Sequence, residues 1–242
     1  MKLHNAIDKL RKERELFHSE DDLKFAISFI LKEIFPDFQI RLEKPQTLEM
    51  INRNDKTSIA RAPIDIVMVN DKNGELIPIE LKYKTKELQT ENNSETYNLT
   101  EHGAKDIGRF SFRKDIYRIE QFIQNNRKSK YGFVLIITND SGYYSQDISE
   151  KNVLDSNFSF HHGVTIKKKD KSWNYKSIDK NKYEFIPQEN KWKYIGKNKY
   201  HWSCTGEKFY LLDLKNNYQI EWQDYSRVDN NEFKFCLIMV NS

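Results

Sequence analysis

Pro63-Ile64-Asp65-Ile66-Val67-Met68-Val69, then Asp71-Lys72-Asn73-Gly74, then Leu76-Ile77-Pro78-Ile79-Glu80-Leu81-Lys82-Tyr83 is the stretch on which the fold turns. Its first part is almost wholly apolar and rich in β-branched side chains, as in a strand covered on both faces. The middle is a cluster of turn formers. In the last part Ile79, Leu81 and Tyr83 share one face of a strand, and Glu80 and Lys82 share the other. The pattern predicts a hairpin with acids set into a hydrophobic body. Pro78 cannot donate to a ladder, so firm pairing is expected to begin after it, or a bulge to lie there.

Asp65 and Glu80 are separated by fourteen residues, and Lys82 follows Glu80 by two. Burying three such charges costs on the order of several kcal/mol unless they are paired or bind metal. An ordinary salt bridge between Lys82 and one carboxylate is one solution. A divalent cation is another: carboxylates hold a hard ion through oxygen, the ion activates water and stabilises phosphorane-like charge, and an ammonium orients that water or neutralises the oxyanion. Asp65 lies inside an apolar run, where a solvated charge is out of place, and this favours the cation.

Upstream, residues 1–18 read as a short charged helix. Ser19 with Asp22 three residues later resembles a capping box with Asp in place of Glu or Gln. Leu23, Ala26, Ile27, Ile30, Leu31 and Ile34 then recur at helical spacing, and Pro36 ends the run. Glu20 lies in the first turn, where it complements the helix dipole or points past the helix end toward the acids. Phe38, Ile40 and Leu42 alternate as in a strand. Residues 44–61 read as a long loop or ragged strand extension, and residues 84–105, rich in Lys, Thr, Glu and Asn, as a flexible loop bordering the acids.

Downstream, Phe112, Ile116, Ile119 and Ile123 mark one face of a helix from about Arg109 to Asn126, with Arg109, Arg113 and Tyr117 on another. Residues 131–138 form the clearest buried strand. The order helix, strand, strand, strand, helix, strand predicts a mixed α/β sheet with a helical crossover before the last strand.

The 242 residues suit one large domain or two small ones, and the net charge of +4 permits nucleic-acid binding without arguing for it. Residues 1–142 read as a core and residues 143–242 as a β-rich basic and aromatic extension. From Lys167 to Lys199 eleven lysines stand against four acids, interleaved with Trp173, Tyr175, Tyr183, Phe185, Trp192 and Tyr194. Such a mixture binds a phosphate backbone and stacks on bases, or forms a solvated β-meander with its aromatics packed inward, the reading favoured by sequence. Residues 233–240 are a further buried strand, able to return to the main sheet within a single domain. Cys204 and Cys236 have no metal-ligand spacing and read as reduced packing residues. The first residues are charged and lack an apolar stretch, so no signal peptide is expected, and no apolar run comes near the roughly 20 residues that span a bilayer, so a cytoplasmic protein is expected.

The αβββαβ order, with an acid on one strand and Glu-x-Lys on the next, resembles the PD-(D/E)xK nuclease superfamily and its restriction-endonuclease-like fold. Pro63-Ile64-Asp65 stands for the Pro-Asp half with one residue inserted, and Glu80-Leu81-Lys82 for the Glu-x-Lys half. Glu20 matches the glutamate that many members carry on the first helix, with Glu33 the second choice. Ser19-Glu20-Asp21-Asp22, His102-Gly103-Ala104-Lys105-Asp106, Lys114-Asp115-Ile116-Tyr117-Arg118-Ile119-Glu120 and Thr138-Asn139-Asp140 are similar to segments of bacterial members.

The resemblance implies that Asp65, Glu80 and the Leu81 carbonyl bind Mg²⁺ or Mn²⁺. It implies that Lys82 positions the attacking water and that Glu20 completes the outer shell or binds a second ion. Arg109, Arg113 and Arg118 would contact phosphate, although Arg118 also has Asp115 within helical reach. The expected function is a metal-dependent DNA endonuclease in restriction or defence, with a homodimer compatible with cutting both strands. The alternatives are a catalytically silent member that binds nucleic acid or a protein partner, and a metal hydrolase using His161, His162 or His201, which follow no helical metal motif.

Overall fold

The structure, a computed structural model, describes residues 3–241. A six-stranded sheet is built, in spatial order, from β1 (Phe38–Lys44), β4 (Ile64–Asn70), β5 (Leu76–Lys84), β8 (Tyr131–Thr138), β14 (Asn231–Asn241) and β13 (Trp222–Val228). β5 and β8 are parallel, and every other neighbouring pair is antiparallel. The parallel pair demands a crossover, which α3 (Lys105–Asn125) supplies. The fold is therefore mixed α/β with a mixed central sheet and a β-rich C-terminal part.

One sheet face is covered by α1 (Leu3–Glu13) and α2 (Glu20–Ile34), which bury Leu23, Ile27 and Leu31 against Ile79, Leu81 and Tyr83. α2 starts as expected: the Ser19 hydroxyl accepts from the Asp22 amide at 3.1 Å. The opposite face is covered by α3 and by residues from the second half of the chain, including Phe160, Ile166 and Ile220. β14 lies beside β8 in full register from Lys234↔Thr138 to Asn241↔Tyr131, so the C-terminal strand extends the main sheet.

Two stretches expected as loops are hairpins. Residues 44–61 contain β2 (Thr47–Ile51) and β3 (Thr57–Arg61), and residues 84–105 contain β6 (Leu88–Asn92) and β7 (Glu95–Leu99). Each buries only a few apolar side chains, Leu48 and Met50 in the first and Leu88, Tyr97 and Leu99 in the second. The second half adds the short helix α4 (Ser141–Tyr144), the short pair β9 (Thr165–Ile166) and β12 (Tyr218–Gln219), and the hairpin β10 (Tyr183–Ile186) and β11 (Lys191–Tyr194). Its aromatics divide: Trp173 is buried, Tyr183, Trp192 and Tyr194 are half-buried, and Phe185 is exposed. Both cysteines are free and buried.

Pro78 lies inside the β4 ladder opposite Val67, and pairing with β8 begins one residue later at Ile79. The proline thus marks where one ladder starts without interrupting the other. Its carbonyl crowds Gly132, where an added Cβ would fall 2.6 Å from the oxygen, so that position admits no side chain.

Candidate functional site

β4 and β5 pair only from Ile66↔Ile79 to Val69↔Leu76. Beyond that they fork, and β5 continues along β8 alone. The fork strands the backbone amides of Leu81 and Tyr83 on the side β4 has left, and buried amides must find acceptors. Two carboxylates supply them. Asp65 Oδ2 accepts from the Leu81 amide at 2.8 Å, and Glu20 Oε2 accepts from the Tyr83 amide at 3.0 Å. The Lys82 ammonium donates to the Leu81 carbonyl at 2.8 Å. Asp65 and Glu20 therefore meet where the sheet opens, and both are tied to its backbone.

Glu80 lies on the same strand face as Lys82, and Asp65 is among the charges that act on its carboxyl. Asp65 is 9% exposed and Glu80 0%. Both Glu80 oxygens are buried without a hydrogen-bond donor among the protein groups. Arg118 Nη2 approaches Glu80 Oε1 at 3.0 Å as an ion pair.

Three cations enter this space. Lys24, one turn beyond Glu20 on α2, reaches Asp65 Oδ1 at 3.3 Å, Asp21 at 3.2 Å, and Glu43. Lys82 sits between Asp115 at 3.3 Å and Glu20 at 3.4 Å. Arg118 contacts Glu80, Asp115 and the Pro63 carbonyl.

Burial opposes the charge on each group, and neighbours decide the outcome. Burial pushes the Asp65 pKa up, but Lys82, the Leu81 amide, Glu80 and Lys24 outweigh it, and the pKa is lowered. Burial of Glu80 prevails: its pKa stands well above the usual carboxylate range, because Arg118 only partly offsets desolvation and the nearby Asp115 and Asp65 charges add to it. Burial works against the Lys82 charge, yet Asp115, Glu20, Asp65 and Glu80 together raise its pKa. The site thus favours the charged forms of Asp65 and Lys82 and disfavours the charged form of Glu80, which Arg118 opposes only in part.

The donor chemistry fits a hard divalent cation. Two carboxylates and a carbonyl are oxygen ligands of the kind Mg²⁺ takes, and Mg²⁺ needs only one or two carboxylates because it keeps several waters. The donorless oxygens of Glu80 are the observation that fits. Among the described residues, no group of three or more His, Cys, Asp or Glu is arranged to hold a metal ion, so Glu20 does not join Asp65 and Glu80 as a third ligand here.

The remaining expectations divide. Glu33 lies at the far end of α2, exposed and paired with Lys9. The three arginines expected at phosphate all turn inward. Arg109 is buried against Asp155 and the Gly142 carbonyl. Arg113 is buried and donates to the carbonyls of Leu212, Lys167 and Lys168. Arg118 serves the acid cluster. Their faces on α3 are covered by the chain's second half and by the fork, a burial that helical spacing does not reveal. His161 and His201 engage Ser159 and Ser203, and His162 accepts from the Trp222 amide, so the histidines do not form a cluster.

Lys24 and Asp115 belong to the cluster without having been singled out. Lys24 follows Glu20 at i+4, a spacing that places both on one helix face. Asp115 precedes Arg118 at i−3, but its contact with Lys82 is tertiary and has no local signal.

Comparison with family models, with curated proteins and with solved structures gives no match in any of the three. Among the described residues, no helix is long and apolar enough to cross a membrane.

Proposed function

We propose that this chain is a metal-dependent nuclease of the PD-(D/E)xK kind that hydrolyses phosphodiester bonds, with DNA as substrate in a restriction or defence role. The observation that carries the reading is the convergence of Asp65, Glu80, Lys82 and Glu20 at the fork of β4 and β5. The succession α2, β1, β4, β5, α3, β8, interrupted by two polar hairpins, supports a restriction-endonuclease-like core. Asp65, Glu80 and the Leu81 carbonyl would hold Mg²⁺ or Mn²⁺. When bound, such an ion activates water and stabilises the charge of the phosphoryl transition state.

The chain's own groups have separate roles. Burial disfavours the charged, ligating form of Glu80, so metal affinity should rise with pH. Lys82 is held as an ammonium by its acidic neighbours; it positions water and neutralises developing negative charge, and does not act as a base. Glu20 keeps Lys82 aligned through one oxygen and fixes the strand end through the other.

A second reading has its own observation. Lys24, Lys82 and Arg118 already neutralise the carboxylates, as in a silent member of the fold that binds nucleic acid or a protein partner.

Cleavage of plasmid, single-stranded DNA and RNA with Mg²⁺, Mn²⁺ or EDTA separates the two. The nuclease reading expects metal-dependent cleavage that falls about a thousandfold in Asp65→Ala, corresponding to several kcal/mol of lost charge stabilisation. Equal cleavage by wild type and Asp65→Ala would place the activity elsewhere. Binding without any cleavage would favour the silent reading.

A further inference from the structure

The second half of the chain carries a cationic groove that shares no residue with the acid cluster. Lys167–Lys171 follows β9 across α3, and two buried charged groups pin its backbone. Arg113 donates to the carbonyls of Lys167, Lys168 and Leu212, each at 2.9 Å. Asp170 accepts from Arg53 and from the amides of Ser172 and Leu212, and its own amide donates to Asp213. Asn157 donates to the carbonyls of Lys171 and Ser172. With the backbone held inward, the side chains of Lys167, Lys168 and Lys171 stand exposed.

Among the described residues, Lys169 pairs with Asp213 at 3.6 Å, whereas Lys151, Lys167, Lys168, Lys171 and Lys176 pair with no carboxylate. Among the same residues, Lys180, Lys193, Lys197 and Lys199 at the β10–β11 hairpin also pair with no carboxylate, so uncancelled charge sets this run apart only together with its place on a concave surface. The surface is also concave. A depression of about 70 Å³ bordered by Lys167, Lys169 and Lys171 adjoins an open one of about 670 Å³ bordered by Lys151 and Lys176; the two share Ser149, Ser156 and Asn157. Glu150 is the one acid on these walls.

We propose that this groove binds the sugar–phosphate backbone of nucleic acid. Unpaired lysines supply the charge, and hydroxyl and amide groups supply donors for phosphate and sugar oxygens. A membrane surface would need apolar side chains to insert beside the lysines, but Phe158, Phe160 and Trp173 on the groove floor are buried. The ligand class rests on the nuclease reading, while the residues are independent of it.

The test is fluorescence anisotropy of short labelled duplex and single-stranded DNA, in EDTA and across a salt series. Lys151→Ala, Lys167→Ala, Lys171→Ala and Lys176→Ala combined should weaken binding at least about tenfold. The slope of log affinity against log salt should fall by about 3, since each phosphate contact contributes roughly 0.7–0.9. A matched control combines Lys180→Ala, Lys193→Ala, Lys197→Ala and Lys199→Ala at the β10–β11 hairpin and should change both far less. Equal weakening by the two sets, or wild-type binding by the groove set, overturns the proposal. So does tighter wild-type binding to phosphatidylserine vesicles than to either DNA. If wild type binds through the groove but never cleaves, the nuclease reading falls and the groove stands. If the groove set binds and cleaves like wild type, the groove falls alone.

Discussion

At the fork of β4 and β5, four carboxylates meet three cations inside the fold; across α3, on residues 167–176, lysines stand in solvent above a floor of backbone carbonyls. The same helix builds both. Arg118 turns toward the fork and offsets Glu80 and Asp115, while Arg113 turns the other way and spends its donors on carbonyls. Among the described residues, the lysines that Arg113 helps to pin at 167, 168 and 171 pair with no carboxylate, so the second region keeps a surplus that the first has lost. Charge alone does not identify a binding surface. The fork's charges are matched to one another before any ligand arrives, and the groove's are not.

The sharpest way to break this contrast is to remove Arg118. Arg118→Ala leaves Glu80 and Asp115 buried with one less partner, and a broken buried pair costs about 3–5 kcal/mol. Guanidinium unfolding should show that loss, and Arg118→Met combined with Glu80→Gln should recover most of it, since removing both charges avoids the orphan. A loss below about 1 kcal/mol in the single variant would mean that the fork is open to water and not a matched interior cluster.

Arg113→Met tests the other side of α3. Its three carbonyls are neutral and can turn toward water, so the expected cost is smaller, about 2 kcal/mol, in the range for unsatisfied buried polar groups. Because Arg113 pins the lysine run, the variant should also weaken DNA binding severalfold in the anisotropy assay. Lost stability with unchanged binding would separate the pinning from the groove.

Glu80 gives the fork a pH signature. Its folded pKa is raised above the unfolded value by burial. Below the unfolded value both states are protonated and nothing is lost. As pH rises above it, the unfolded state releases its proton first, so stability falls until the folded pKa is reached. The slope approaches about 1.4 kcal/mol per pH unit for one proton. Glu80→Gln lacks this proton, and its stability advantage over wild type should therefore widen as pH rises above the usual carboxylate range, with a slope of at most about 1.4 kcal/mol per unit. A constant gap in denaturant midpoints would show that Glu80 is already ionised in the fold.

How far the sequence foretold this varies residue by residue. Ser19 and Asp22 announced the start of α2, and the alternation through Ile79, Leu81 and Tyr83 announced which face of β5 would bear Glu80 and Lys82. The 233–240 run announced a strand of the main sheet. These are local patterns with enough apolar residues to be read. The hairpins at 47–61 and 88–99 bury too few side chains to stand out from loops. The inward turn of Arg109, Arg113 and Arg118 was hidden for another reason: it depends on residues 142–214 folding over α3, where the chain forms short turns and carbonyl contacts with no period. Lys24 was legible as a neighbour of Glu20, but its contact with Asp65 required the sheet to fork there.

The smallest effect belongs to the groove lysines themselves. They are exposed and pair with no carboxylate, so no native interaction is lost when Lys167 or Lys171 becomes alanine. Surface substitutions of this kind shift the melting temperature by no more than about 2 °C in a chain of this size. Relief of mutual repulsion among neighbouring lysines would make the change slightly favourable, most visibly at low salt where the Debye length exceeds about 10 Å. Melts of Lys167→Ala and Lys171→Ala at low and high salt check this. A clear loss of stability would mean that the lysines hold the fold together, as Arg118 does at the fork, and the distinction between the two regions would collapse. Unchanged or raised melting temperature together with weakened DNA binding would show cations placed there for a ligand and not for the fold.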